Sequence, residues 1–263
     1  MSNHVLSELQ NGVLKLTLNR PEKKNALSNA MYESLCENLV HAQSNDDVRV
    51  ILLSTNSQDF TSGNDLKDFA AVNDGTRGLD DLPVVRLLRL VVGLDKPLVS
   101  AVRGLAVGIG TTVLLHSDLV FAGKSATFQM PFVPLGLVPE FASSYLLPLI
   151  SGKARANLAL MLGEPFDVHF AYEMGLISRI VDDEAVEETA LSYCRKLVAL
   201  PPISVKATKW LITPEEERKR LHDVIPRESI IFAEQLQSDE HREALSAFFE
   251  KRRPDFSKFA GKI

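Results

Sequence analysis

The stretch RGLAVGIGTTVLLHSDL, residues 103 to 119, sets Gly104, Gly108 and Gly110 in front of a very apolar segment that closes on a polar turn. It reads as a chain that turns sharply and then enters a buried helix. Free N–H groups at such a helix start, that of Ile109 above all, suit a developing negative charge. The same glycines also serve plain tight packing, because a residue without Cβ lets a helix press against its neighbours. Two phosphate-binding readings do not fit: GLAVGIG lacks the GxGxxG spacing, and no Gly-Lys-Ser/Thr follows to make a P-loop.

Outward from this segment, β-rich runs recur at VLKLTL (13–18), VRVILLS (48–54), PLVSAV (97–102), DLVFA (118–122) and ISRIV (177–181), with helical patterns between them. This is an α/β layout. Ser28 can cap a helix whose apolar positions are Met31, Leu35, Leu39 and Ala42, and Leu87, Leu88, Val91 and Val92 repeat that spacing before Pro97. After about residue 183 the strands stop. Pro201-Pro202 punctuates the helical remainder, Thr213-Pro214-Glu215 starts a helix, and Pro226 is expected to kink or split it. A last helix is expected from near Ser238 to Lys251, with Ala244, Leu245, Phe248 and Phe249 as its apolar side. The expected division is a core over 1–199 and a helical assembly arm over 200–263.

With 263 residues, 45% hydrophobic and 24% charged, the chain has the balance of a folded globular unit. A net charge of −5 with scattered basic residues offers no broad footprint for nucleic acid, so any phosphate site must be local. Cys36 and Cys194 both fall in helical patterns, which argues for buried fillers in a reducing compartment. No apolar run reaches membrane-spanning length, and the start MSNHVLSELQNG lacks a signal-peptide profile, so the expected setting is cytoplasmic, without membrane insertion. The six histidines show no metal-ligand spacing, and no metal site is expected.

Two further segments carry chemistry. In DFTSGNDLKDF (59–69) a β run gives way to a helix expected from Asp65; Gly63 allows close backbone approach, and the Asn64 amide points outward at the turn. An ordinary strand-to-helix turn has the same appearance. In LGLVPEFASSYLLPLI (135–150) Pro139 and Glu140 fit the first turn of a helix running through Tyr145, where a glutamate is favoured by the helix dipole. Yet Glu140 stands among Leu137, Val138, Phe141 and Ala142. Burial raises a carboxylate's pKa and a helix N-terminus lowers it, so its state depends on how deep it lies.

The order of these segments, SGNDL, then GLAVGIG, then PFVPLGLVPE, resembles the crotonase superfamily of enoyl-CoA hydratases and isomerases. LTLNRPEKKNAL (16–27) and ALSAFFEKRRPDF (244–256) extend the resemblance to both ends. It implies a spiral of β-β-α turns with a C-terminal helical trimerisation region, a homotrimer or dimer of trimers, and an acyl-CoA thioester as substrate. It also implies an oxyanion hole at the backbone amides of Asn64 and Ile109. The implied coenzyme A positions fall on Lys24, Ala26, Leu27, Ser62, Lys67, Phe248 and Lys251, the last two lying on the closing helix of the same or another subunit.

Departures from the pattern narrow the chemistry. Where hydratases of this superfamily carry two glutamates, this chain has Thr112 and Phe132. LGLVPE resembles instead the Δ3,Δ2-enoyl-CoA isomerases, whose single glutamate falls on Glu140. The implied reaction moves a 3-enoyl-CoA double bond to the trans-2 position through a dienolate, with Glu140 as general base and then acid. Phe132, Leu135 and Leu137 are expected to wall the acyl pocket and exclude water, and no redox cofactor is needed. Other crotonase reactions (hydration, thioester hydrolysis, decarboxylation) and a catalytically silent acyl-CoA-binding protein stay open. The segment 70–83 is expected to form a mobile pocket wall.

Overall fold

In the computed structural model, which describes residues 4–65 and 82–259, a hairpin of β1 (Val5–Gln10) and β2 (Val13–Leu18) leads through α1 (Asn29–Ser44) to β3 (Val50–Thr55). Helix α2 (Pro83–Val92), β4 (Leu98–Val102), β5 (Leu105–Val107) and the one-turn α3 (Ile109–Thr112) follow. Next come β6 (Leu119–Gly123), β7 (Thr127–Gln129), α4 (Ser143–Ser151), α5 (Lys153–Asn157), β8 (Phe166–Asp167), α6 (Val168–Glu173) and β9 (Arg179–Val181). Helices α7 (Val186–Val198), α8 (Pro202–Ile212), α9 (Glu215–Leu236) and α10 (Asp239–Glu250) complete the chain.

Among the described residues the larger sheet has the order β1-β2-β3-β4-β6-β9, antiparallel only between β1 and β2. Its central strand β4 is buried at every position, which is why it reads as an unbroken apolar run. A smaller sheet, β5-β7-β8, stacks beside it. Each long strand turns after its last residue into a short piece of this second layer: β4 into β5, β6 into β7, and β3 by way of Phe60 and Thr61, which pair with the β5 segment. The chain thus winds as a spiral of β-β-α turns, the architecture implied by the sequence.

Helix α1 starts where Ser28 accepts the Met31 N–H, and it buries Met31, Tyr32, Leu35, Cys36, Leu39 and Ala42 along one face. Each large side chain so buried contributes about 2 kcal/mol. Both cysteines are free, buried thiols, Cys36 here and Cys194 in α7.

Several expectations are corrected. The apolar stretch after GLAVGIG forms one α-turn followed by a 3-10 turn at Val113–His116, too short for a helix proper. Pro226 does not split the C-terminal segment, since α9 runs through it. Buried Leu221, Ile225 and Leu236 anchor that helix on both sides of the proline and offset its lost backbone bond. In α10 the buried face is His241, Glu243, Ala244 and Ala247, while Phe248 and Phe249 are exposed. No described helix is long and apolar enough to cross a membrane. The helix expected from Asp65 and most of the proposed mobile wall, residues 70–81, lie outside the described residues, as does Lys67.

Candidate active site

Three loops meet at the edge of the smaller sheet. Leu27 pairs with Asn64 in a parallel bridge: its N–H donates to the Gly63 carbonyl at 2.8 Å, and its carbonyl accepts the Asp65 N–H at 2.9 Å. On the other side Thr61 pairs with Ala106, giving its N–H to Leu105 and taking that of Val107. Both loops are pinned by residues that sequence reasoning missed. Asn25 is wholly buried in a left-handed conformation, and its Nδ2 lies 2.8–3.1 Å from four acceptors at Thr55, Ser57, Asp59 and Phe60. The Arg20 guanidinium donates to the Ala26 carbonyl at 2.9 Å and to Asp65 at 2.7 Å, tying the two loops together.

This pairing turns the Asn64 amide away from Leu27. At the third loop Gly108 takes φ 57° and ψ −121°, a combination that only glycine adopts readily, and delivers Ile109 as the first residue of α3. The packing role of the glycines is real too: a Cβ on Gly110 would lie 2.3 Å from the Thr61 side chain. Among the described residues, the Asn64 and Ile109 amides have no backbone or side-chain acceptor. The Asn64 side chain is occupied, accepting a hydrogen bond from the Tyr32 hydroxyl.

Glu140 is not in a first helical turn. Phe141 and Ala142 both adopt left-handed conformations, φ 58° and 56°, and α4 begins only at Ser143. Two consecutive non-glycine residues of this kind cost roughly 1–2 kcal/mol each, strain that the surroundings must offset. Three groups do so. His116 stacks on the Phe141 ring at 4.0 Å, and its Nε2 donates to the Phe141 carbonyl at 2.8 Å. Burial pushes the His116 pKa down to about 4, so the ring is neutral. Glu228, from α9, accepts the Ala142 N–H at 2.6 Å, the Ser144 N–H at 3.1 Å and the Ser144 hydroxyl. Thr112, from α3, donates to Glu140 Oε1 at 2.5 Å.

The Glu140 pKa is pushed up to about 8, first by burial; the Thr112 hydrogen bond works against this, and the Glu228 charge adds to it. Glu228 itself is raised to about 7 by burial, against the pull of its bonds to Ser144 and Ala142. Burial and then the Glu140 charge hold the Tyr32 hydroxyl well above the usual tyrosine range, so it remains a donor.

Glu140 opens onto a cleft of about 740 Å3, counting its mouth. Leu27, Tyr32, Asn64 and Asp65 line it with Glu140, as do Leu82, Val84, Val85 and Leu88 from the α2 segment. Asn29 of α1 lines it as well, and the remaining wall is Ser229, Phe232, Ala233 and Leu236, one helical face of α9. A helix read from sequence as an assembly arm thus walls the cleft of its own chain.

Of the residues implicated by sequence, Glu140, Asn64 and Leu27 meet on this cleft. Ser62, Ala26 and Lys24 sit on the two paired loops but are not among the residues lining the cleft; the Ser62 N–H donates to the Lys24 carbonyl at 2.9 Å, and the exposed Lys24 Nζ lies 3.8 Å from Asp59. Phe132 and Leu137 are buried one layer behind, in an apolar cluster with Leu147 and Leu236 on which Leu135 packs. Phe132 meets the cleft through the edge of Phe232, 6.4 Å between ring centres. Phe248 and Lys251 stand at the exposed end of α10 and do not line the cleft. Tyr32 was not among the positions read as apolar in α1, and Glu228 is one acid among many in a charged helix.

The enoyl-CoA hydratase/isomerase family model matches residues 8–259. The 1,2-epoxyphenylacetyl-CoA isomerase of Escherichia coli K12 is 35% identical, over 98% of this chain and 99% of its own length. Enoyl-CoA delta isomerase 2 of Rattus norvegicus is 32% identical over 95% of this chain, which spans 64% of that longer protein. A crystal structure of an enoyl-CoA hydratase/isomerase from Pseudoalteromonas atlantica T6c superimposes with a TM-score of 0.91 at 42% identity, covering 97% of this chain and all of that one. The spiral, the cleft and these matches agree: the chain belongs to the enoyl-CoA hydratase/isomerase family of the crotonase superfamily.

Proposed function

We propose that this protein is a Δ3,Δ2-enoyl-CoA isomerase. The observation that carries the reading is Glu140: a cleft carboxylate whose neighbours are the Thr112 hydroxyl and the like charge of Glu228. The other cleft carboxylate, Asp65, is engaged by Arg20 at 2.7 Å. In the proposed cycle the thioester oxygen takes hydrogen bonds from the Asn64 and Ile109 amides. Glu140 removes a proton from C2, the electrons spread as a dienolate over C2, C4 and the thioester oxygen, and Glu140 returns the proton to C4. Atoms and charge balance with no added reactant, so neither a metal nor a redox cofactor is required. A base whose pKa lies near the working pH serves both halves of this exchange.

Hydration fits less well. It needs a second carboxylate to hold and activate water, but Phe132 is apolar and the Thr112 hydroxyl is committed to Glu140. A second reading, isomerisation of an aromatic epoxide thioester, is favoured by the full-length similarity to 1,2-epoxyphenylacetyl-CoA isomerase. The proposal includes a homotrimer or dimer of trimers in the cytoplasm, for which the exposed Ile203, Leu211 and Ile212 of α8 offer apolar contact surface.

The test is to supply purified protein with 3-enoyl-CoA and follow conjugated 2-enoyl-CoA, then supply 2-enoyl-CoA and look for the 3-hydroxyacyl product. Conversion in the first assay and little in the second is expected. Efficient hydration, or turnover of only the epoxide thioester, would replace the assignment. Light scattering on the eluting protein checks the assembly.

A further inference from the structure

Helix α9 carries Ser229, Phe232, Ala233 and Leu236 into the cleft, and one residue before them stands Glu228, 6% exposed. A carboxylate buried in that way needs partners, and Glu228 has three on one short stretch: the Ala142 N–H, the Ser144 N–H and the Ser144 hydroxyl. That stretch begins two residues after Glu140, at Ala142, the second of the two left-handed residues that turn the chain from Glu140 into α4. We propose that Glu228 is a positioning residue for Glu140: its carboxylate fixes the Phe141–Ala142 turn and so aims the Glu140 side chain at the substrate from α9.

The proposal rests on the isomerase reading for its kinetic consequences, though not for its geometry. Three features distinguish positioning from ordinary packing. Glu228 contacts the turn and the start of α4 and does not line the cleft, so acyl-CoA binding has no direct dependence on it. It also places a negative charge near Glu140, whose other polar surroundings are Asn29, Tyr32, Asn64, Asp65 and Ser229 on the cleft, the Thr112 hydroxyl behind it and neutral His116 beside Phe141. And it sits on the helix that forms the acyl wall, so base and wall are registered to each other by one rigid element.

The experiment compares wild type with Glu228→Gln, an isostere that lacks the charge and keeps one acceptor. Wild-type turnover of 3-enoyl-CoA tests the isomerase reading by itself. For the variant, kcat is expected to fall roughly 10- to 100-fold, while the Kd of a saturated acyl-CoA changes less than about threefold. Removing the charge also moves the rising limb of the pH profile to lower pH, which lost packing alone would not do. A crystal structure of the variant should show the Thr112–Glu140 contact broken or lengthened, an outcome independent of the substrate. Wild-type kcat with an unmoved limb and an intact contact would overturn the proposal. If Glu228→Gln does not fold, Ser144→Ala removes one of the three contacts, and several-fold loss of kcat with unchanged acyl-CoA affinity is expected; unchanged kcat there would equally count against it.

Discussion

The Thr112 hydroxyl donates to Glu140 Oε1 across 2.5 Å, joining the one-turn helix α3 to a loop 28 residues further along the chain. The bond favours the ionised carboxylate and opposes the burial that raises its pKa to about 8. As the proposed base must be ionised to act, kcat/KM for 3-enoyl-CoA is expected to rise with pH through a midpoint near that value. Thr112→Val removes a lowering influence, so the midpoint moves up and the rate at about pH 7 falls roughly tenfold or more, recovering as the pH is raised. A pH series on both proteins checks the sign.

Glu140→Gln removes the proposed proton shuttle and keeps its shape. Isomerisation should fall by roughly 10²–10⁴-fold, while titration calorimetry with a saturated acyl-CoA shows binding retained.

The same glutamate makes a prediction about stability. The folded pKa of Glu140, about 8, lies above the ordinary 4.5, and that of Glu228, about 7, does too. Stability from such groups is complete below their unfolded pKa and is lost as pH rises through the folded one. Between about pH 5 and pH 8.5 the wild-type Tm should therefore decline more steeply than that of Glu140→Gln, with the variant ahead by on the order of 5 °C at the upper end.

Gly108 has open space where a Cβ would stand, so Gly108→Ala meets no clash. Its φ of 57° with ψ −121° is the obstacle. Rotation away from that conformation swings the Ile109 amide, and kcat is expected to fall roughly 10²-fold with about 1–3 kcal/mol of stability lost, measured by turnover and denaturant melts.

Asn25→Ala should damage stability more than chemistry. It leaves buried acceptors at Thr55, Asp59 and Phe60 without their amide donor and places alanine at φ 54°. A cost of roughly 2–4 kcal/mol follows, seen as a Tm drop of about 10 °C.

The sequence was most legible where a signal is local. Ser28 caps the helix it was expected to cap, the last helix starts beside Ser238 as expected, and the five apolar runs became strands. The two- and three-residue strands β5, β7 and β8 are too short to show alternation, and they exist because the spiral stacks them. Glu140 stood out by its apolar neighbours, but its escape from the helix depends on the left-handed pair after it, which Phe141 and Ala142 do not advertise. Glu228 was hidden for the opposite reason. In EEERKRLHDVIPRES an acidic side chain looks solvated, and only the packing of α9 buries it.

The proposed oxyanion hole consists of main-chain amides, with Gly63 at φ 91° beside one and Gly108 at φ 57° beside the other. A saturation mutagenesis scan should therefore be misleading if read position by position. Ile109, which donates the amide, should tolerate apolar exchange, while the glycine next to it should tolerate almost nothing. Function held by backbone leaves its mutational footprint on the neighbours that shape it.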